Sequence, residues 1–107
     1  MHEPTFLILT ALAARPLHGY AIIQAVGTLA DGEVTLRPGT LYGALDRLAE
    51  QALIAVDRQE AVDGRLRRYY RLTDTGATTL AAEAQRLHRR ATTAQTQLRG
   101  RIIPGTA

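Results

Sequence analysis

Apolar positions along this chain recur first with a helical period, then with a period of two, then with a helical period again, and the switches mark its elements. "EPTFLILTALAARP" (residues 3–16) is mostly apolar, with Pro4 suited to a first helical turn and Pro16 ending the run, which predicts a short buried helix. "LHGYAIIQAVGTLA" (17–30) places Tyr20, Ile23 and Gly27 on one helical face and Ile22, Val26 and Leu29 on the neighbouring one, predicting a second helix. Asp31-Gly32 signals a turn, and "EVTLR" after it alternates enough for a very short strand.

A third helix is predicted over "PGTLYGALDRLAEQALI", where Leu41, Leu45 and Leu48 fall at i, i+4, i+7 and Ala52 completes the row. Its opposite face carries Thr40, Gly43 and Arg47, with Tyr42 beside them. "LIAVDRQE", "AVDG" and "RRYYRLT" then read as strand, turn and antiparallel return. Period two sets Tyr70 and Leu72 on one face of that return strand and Arg67, Tyr69 and Arg71 on the other, so Tyr70 is expected in the core and Tyr69 exposed. From Thr73, a suitable N-cap, a last helix is expected to run to about Leu98. Its positions Leu80, Ala84, Leu87, Ala91, Ala94 and Leu98 are spaced 4-3-4-3-4, a heptad seam that a single helix cannot bury alone.

The predicted fold is mostly α with a small β-hairpin: a winged helix-turn-helix followed by a C-terminal dimerisation helix. The expected boundaries are 1–73 for the winged domain, 74–99 for the long helix and 100–107 for a flexible tail. A homodimer is the economical way to cover the seam, with Phe6 and Leu9 of the first helix joining the interface.

Composition narrows the chemistry. The 107 residues include no cysteine, which excludes disulfides, thiolate metal sites and thiol catalysis. His2, His18 and His88 are scattered without the i, i+4 pairing of a helical metal site, and read as polar or capping residues. No set of nucleophile, metal ligands or acid/base pair converges, so no enzyme, no cofactor and no metal are expected. No apolar run reaches the roughly 20 residues of a membrane span and no signal peptide is evident, so a cytoplasmic, nucleoid-associated protein is expected.

Charge is informative in its placement. Residues 1–57 hold three Arg against six acidic residues and residues 58–107 ten against four, so the halves carry −3 and +6. Four of those arginines stand in "RLRRYYR" (65–71), on the hairpin. A rigid helix pair with a basic hairpin beside it suits double-stranded DNA: one helix enters the major groove while the hairpin lies along the neighbouring backbone or minor groove, its arginines releasing counterions from phosphates.

The same stretches carry a family resemblance. "LHGYAIIQAV", "PGTLYGALDRLAEQALI" and "DGRLRRYYRLTDTG", in this order and spacing, together resemble the PadR family of bacterial transcriptional regulators over roughly residues 5–85. Chain length is similar to its short subfamily, in which one C-terminal helix mediates dimerisation. The resemblance implies DNA contacts from Pro38, Gly39, Thr40 and Tyr42, from the wing residues Gly64, Arg65, Arg67 and Arg68, and from Tyr20 to a phosphate; the exposed face of the third helix adds Gly43 and Arg47 as candidates. The two-fold symmetry of a homodimer predicts a pseudo-palindromic operator. The resemblance further implies a repressor of nearby genes, many similar proteins being released by a small, often aromatic, compound, and here the effector is unknown. The chain has no Trp, one Phe and four Tyr, which leaves little stacking surface for such a compound.

Two departures stand out. Where the family commonly has a capping Ser before the proline this chain has Arg37, which weakens the cap and adds a side chain able to reach a phosphate. Where a Gly commonly ends the third helix it has Ala52, so that end is expected to differ. Two other classes remain open to the sequence: a protein-interaction module using the long helix, whose binding would lack a steep salt dependence, and RNA binding through the same wing.

Overall fold

A computed structural model of the chain describes residues 1–102. Helix α1 (Glu3–Ala14) is followed by a two-residue strand β1 (Leu17–His18), α2 (Gly19–Leu29), α3 (Pro38–Glu50), the hairpin strands β2 (Ile54–Val62) and β3 (Arg65–Leu72), and α4 (Asp74–Ile102). The strands form one antiparallel sheet in the order β1-β3-β2.

The periodic apolar positions converge as their spacing requires. Ile8 and Leu9 of α1, Ile22 and Val26 of α2, Leu41 and Leu45 of α3 and Ile54 of β2 are fully buried, with Leu12, Leu36, Leu48 and Tyr70 close behind. Burial of each large side chain is worth about 1.5–3 kcal/mol, so this cluster holds the three helices and the sheet as one body. Leu80 packs against it from the first turns of α4.

Three expectations change here. Leu9, expected at a dimer interface, is 0% exposed within its own chain and is unavailable to a partner. Leu80, on the predicted seam of α4, is half-buried against the chain's own core and keeps the rest of its surface exposed. Residues 33–37 form no strand, because Leu17↔Tyr70 and His18↔Tyr69 occupy the edge of β3 opposite β2, and Leu36 plugs the core instead. Finally α4 continues through Gly100 to Ile102, past its expected end; residues 103–107 of the expected tail lie outside the described residues.

Turns and caps explain where the elements stop. Ala52 ends α3 in the left-handed region (φ 60), with its N–H donating to the Ala49 carbonyl (3.0 Å) and the Leu53 N–H to that of Leu48 (3.0 Å). This is the Schellman arrangement that glycine usually serves, with Leu48 and Leu53 both buried in the core, so against expectation the helix ends as a glycine-capped one would despite the Cβ. Asp63 (φ 50) and Gly64 (φ 76) both lie in the left-handed region, making the two-residue turn whose twist matches a hairpin. Thr73 caps α4: its Oγ1 accepts from the Gly76 N–H (2.9 Å) and donates to the Ala52 carbonyl (2.6 Å). Gly76 is required there, since any Cβ would overlap the carbonyl oxygen of Leu53.

Candidate nucleic-acid interface

One face of α3 is core, and the other is free. Pro38, Gly39 and Thr40 in its first turn are exposed, Tyr42 is 52% exposed, and Arg47 is exposed with its guanidinium lying over Gly43. Pro38 stands at the start, where its missing N–H costs nothing, and the N-cap residue Arg37 makes no side-chain capping bond. The first N–H groups of α3 thus keep their donors, and the Arg37 side chain is exposed.

Between α3, the start of α2 and the hairpin runs an open cleft of about 970 Å³. Tyr20 and Tyr42 line its helical wall; Arg65, Arg67 and Arg68 line the wing wall. Arg37, Pro38, Gly39, Thr40, Gly43, Gly64 and Arg47 lie outside the cleft, the first three at the exposed start of α3 and Gly64 at the wing turn. Asp46 and Asp63 also line it, so the cleft is basic but not uniformly so.

Ion pairing sorts the arginines into two kinds. Arg86 is held by Glu83 through two hydrogen bonds (2.8 and 2.6 Å), and Arg58 pairs with Asp57 (3.3 Å) and Glu60 (3.7 Å). Among the described residues, Arg65, Arg67 and Arg68 are in no ion pair. An unpaired guanidinium keeps its charge and five donors available to an external anion.

Sequence reasoning allowed His18 a polar or capping role but missed the group through which it joins wing to helix. His18 caps α2, its Nδ1 accepting from the Ala21 N–H (3.3 Å), and its ring stands edge-on to Tyr69 with centroids 5.3 Å apart. Partial burial, and after it the charge of Arg67, lowers the His18 pKa against an opposing pull from Glu60, which favours the neutral ring that the cap requires. Tyr69, expected exposed, is half-buried: Arg58 stacks over its ring at 3.8 Å and its hydroxyl donates to Glu60 Oε1 (2.7 Å). The signal was hidden because reading residues 17–18 as helix concealed their pairing with β3.

No group of three or more His, Cys, Asp or Glu is placed to hold a metal among the described residues, and no helix there is long and apolar enough to cross a membrane. Residues 87–101 of α4 are exposed on every side, Leu87 at 40% and Leu98 at 57% with Ala91 and Ala94 between, and Ala84 one turn earlier is exposed too.

Among proteins of known sequence, the chain is 40% identical over 58 residues to the transcriptional regulator YqjI of Escherichia coli, covering 54% of this chain and 28% of that protein. It is 38% identical over 80 residues to the transcriptional regulator Rv3488 of Mycobacterium tuberculosis, covering 75% and 71%. It spans less than a third of the length of the first of these relatives. Its fold is similar to that of a PadR family transcription regulator from Clostridium difficile, with a TM-score of 0.76 at 26% identity over 91% of this chain and 99% of the other. Bacillus subtilis PadR, solved in complex with operator DNA, shares the fold at a TM-score of 0.67 and 22% identity over 75% and 46%. Residues 8–82 match the family described as the transcriptional regulator PadR-like family, and the chain belongs to it.

Proposed function

We propose that this chain is a sequence-reading repressor that binds double-stranded DNA as a homodimer. The exposed start of α3 enters the major groove and the wing lies along the adjacent backbone. The observation that carries this reading is the cleft, which sets Tyr20 and Tyr42 opposite three unpaired arginines, Arg65, Arg67 and Arg68. The solved complex of B. subtilis PadR with operator DNA, on the same fold, supports it.

The dimer half of the proposal rests on α4. Phe6, Ala84, Leu87, Ala91, Ala94 and Leu98 form its interface, without the buried Leu9 and with Leu80 at its inner margin. Two-fold symmetry then calls for a pseudo-palindromic operator with half-sites one helical turn, ~34–36 Å, or a multiple of it apart. Residence on DNA places the protein with the nucleoid in the cytoplasm. The groove beside α4 offers only Phe6 for stacking an aromatic effector, and no effector forms part of the proposal.

A gel-shift titration against the DNA upstream of its own gene and a scrambled duplex of equal length, at ~150 mM salt, tests the reading. Affinity at least ~10³ tighter for the upstream DNA is expected. Equal binding would reduce the arginines to a general phosphate grip, and no binding to either would overturn the proposal in favour of a protein partner.

A further inference from the structure

Arg67 has an acidic residue directly across the ladder, yet stands unpaired. The register places Glu60 opposite Arg67 and Arg58 opposite Tyr69. A carboxylate and a guanidinium so placed ordinarily attract each other, and a paired Arg67 would be lost to DNA. The Glu60 carboxylate is instead turned the other way. Its Oε1 accepts the Tyr69 hydroxyl (2.7 Å), and its Oε2 lies 3.7 Å from Arg58 Nε, whose guanidinium is itself seated on the Tyr69 ring at 3.8 Å.

Resting on the DNA-binding reading above, we infer that Tyr69 and Arg58 act as positioning residues that sequester Glu60, and so keep Arg67 free to take a phosphate. The backbone makes the device. The register shifts between Val56 and Arg58, with Asp57 as the extra residue, and this one-residue bulge moves Arg58 and Glu60 onto the strand face shared with Tyr69 and Arg67. Without the bulge they would point to the opposite face. Asp57 in turn pairs with Arg58 at 3.3 Å.

The test is fluorescence anisotropy with a labelled duplex of mixed sequence, which reads phosphate contacts alone, over a range of salt. Tyr69→Phe keeps the ring against Arg58 and His18 but frees the carboxylate. One lost phosphate contact should make the slope of log affinity against log salt shallower by about 0.9, or about fivefold weaker binding near 0.15 M. Glu60→Gln alone should keep the wild-type slope, and Tyr69→Phe combined with Glu60→Gln should restore it, which a merely structural role for Tyr69 would not do. Arg58→Gln, which leaves the Tyr69 hydrogen bond in place, should move the slope in the same direction and serves if Tyr69→Phe lowers the thermal midpoint. A wild-type slope in Tyr69→Phe, or no rescue in the double variant, overturns the inference. Failure of the underlying reading looks different: the wild-type chain would then bind no duplex, and the inference would fall with it.

Discussion

The hydroxyl of Tyr42 occupies the space that a side chain on Gly19 would need, since a Cβ there would stand 2.7 Å from its oxygen. The first residue of α2 and the exposed face of α3 are thus in direct contact, and the absence of a side chain at one sets the position of the aromatic ring at the other.

Gly19→Ala should therefore displace Tyr42 with little cost to the fold, because the ring is half exposed and can swing outward. Its effect on DNA affinity should not add to that of Tyr42→Ala. A double-mutant cycle by gel shift is expected to give a coupling of about 0.5–3 kcal/mol, whereas additive losses would mean that the contact has no part in binding.

Arg65→Ala with Arg67→Ala should weaken binding to every DNA sequence alike. Two lost phosphate contacts predict a salt slope shallower by about 1.8. An unchanged slope in the same titration would remove the wing from the mechanism.

Leu87→Asp should convert a dimer to a monomer in sedimentation velocity, because two charges would meet across one apolar seam. Leu87 is 40% exposed, so the helical circular dichroism of the monomer should be unchanged. By contrast Leu9→Ala should cost about 2–5 kcal/mol of stability through cavity formation and leave the association state of the folded fraction alone.

Ala52→Gly relieves a Cβ held at φ 60. The left-handed conformation costs an L-residue roughly 1–2 kcal/mol, part of which is offset by the greater freedom of glycine in the unfolded chain. A net stabilisation of about 0.5–1 kcal/mol is expected in denaturant titration; destabilisation would contradict the capping geometry.

Glu83 gives a pH dependence of definite sign. Two hydrogen bonds from Arg86, with the Met1 amino group at 3.5 Å, hold its carboxyl down to about 2 from 4.5. A depressed folded-state pKa contributes stability that is complete above about 4.5 and is lost as pH falls toward about 2. Thermal midpoints of wild type and Glu83→Gln should thus differ at neutral pH, the wild type being higher, and converge on acidification through that window.

Much of the architecture was legible because it is encoded locally. Leu41, Leu45 and Leu48 could only line one face of a helix, Tyr70 and Leu72 had to share a strand face, Asp63-Gly64 had to turn, and Thr73 could cap what followed. The basic wing was legible for the same reason, since four arginines in seven residues need no tertiary information to be seen.

Other features depend on which distant segment wins a shared position, and the linear pattern does not carry that. Residues 17–18 rather than 33–37 took the free edge of β3, because pairing is decided by what the helices bring alongside it. Leu9 was apolar enough for either a core or an interface, and only the packing of the helices and sheet around it put it at 0% exposure. The bulge at Asp57 inverted the faces of β2 beyond it, which turned Arg58 and Glu60 toward Tyr69 and separated the paired arginine from the free ones. Periodicity by itself determined which faces of this protein are apolar, because neighbours on a helix or strand are set by the backbone repeat. What covers each face, and which charges meet across it, was decided only by the tertiary structure, where contacts join residues that no repeat relates.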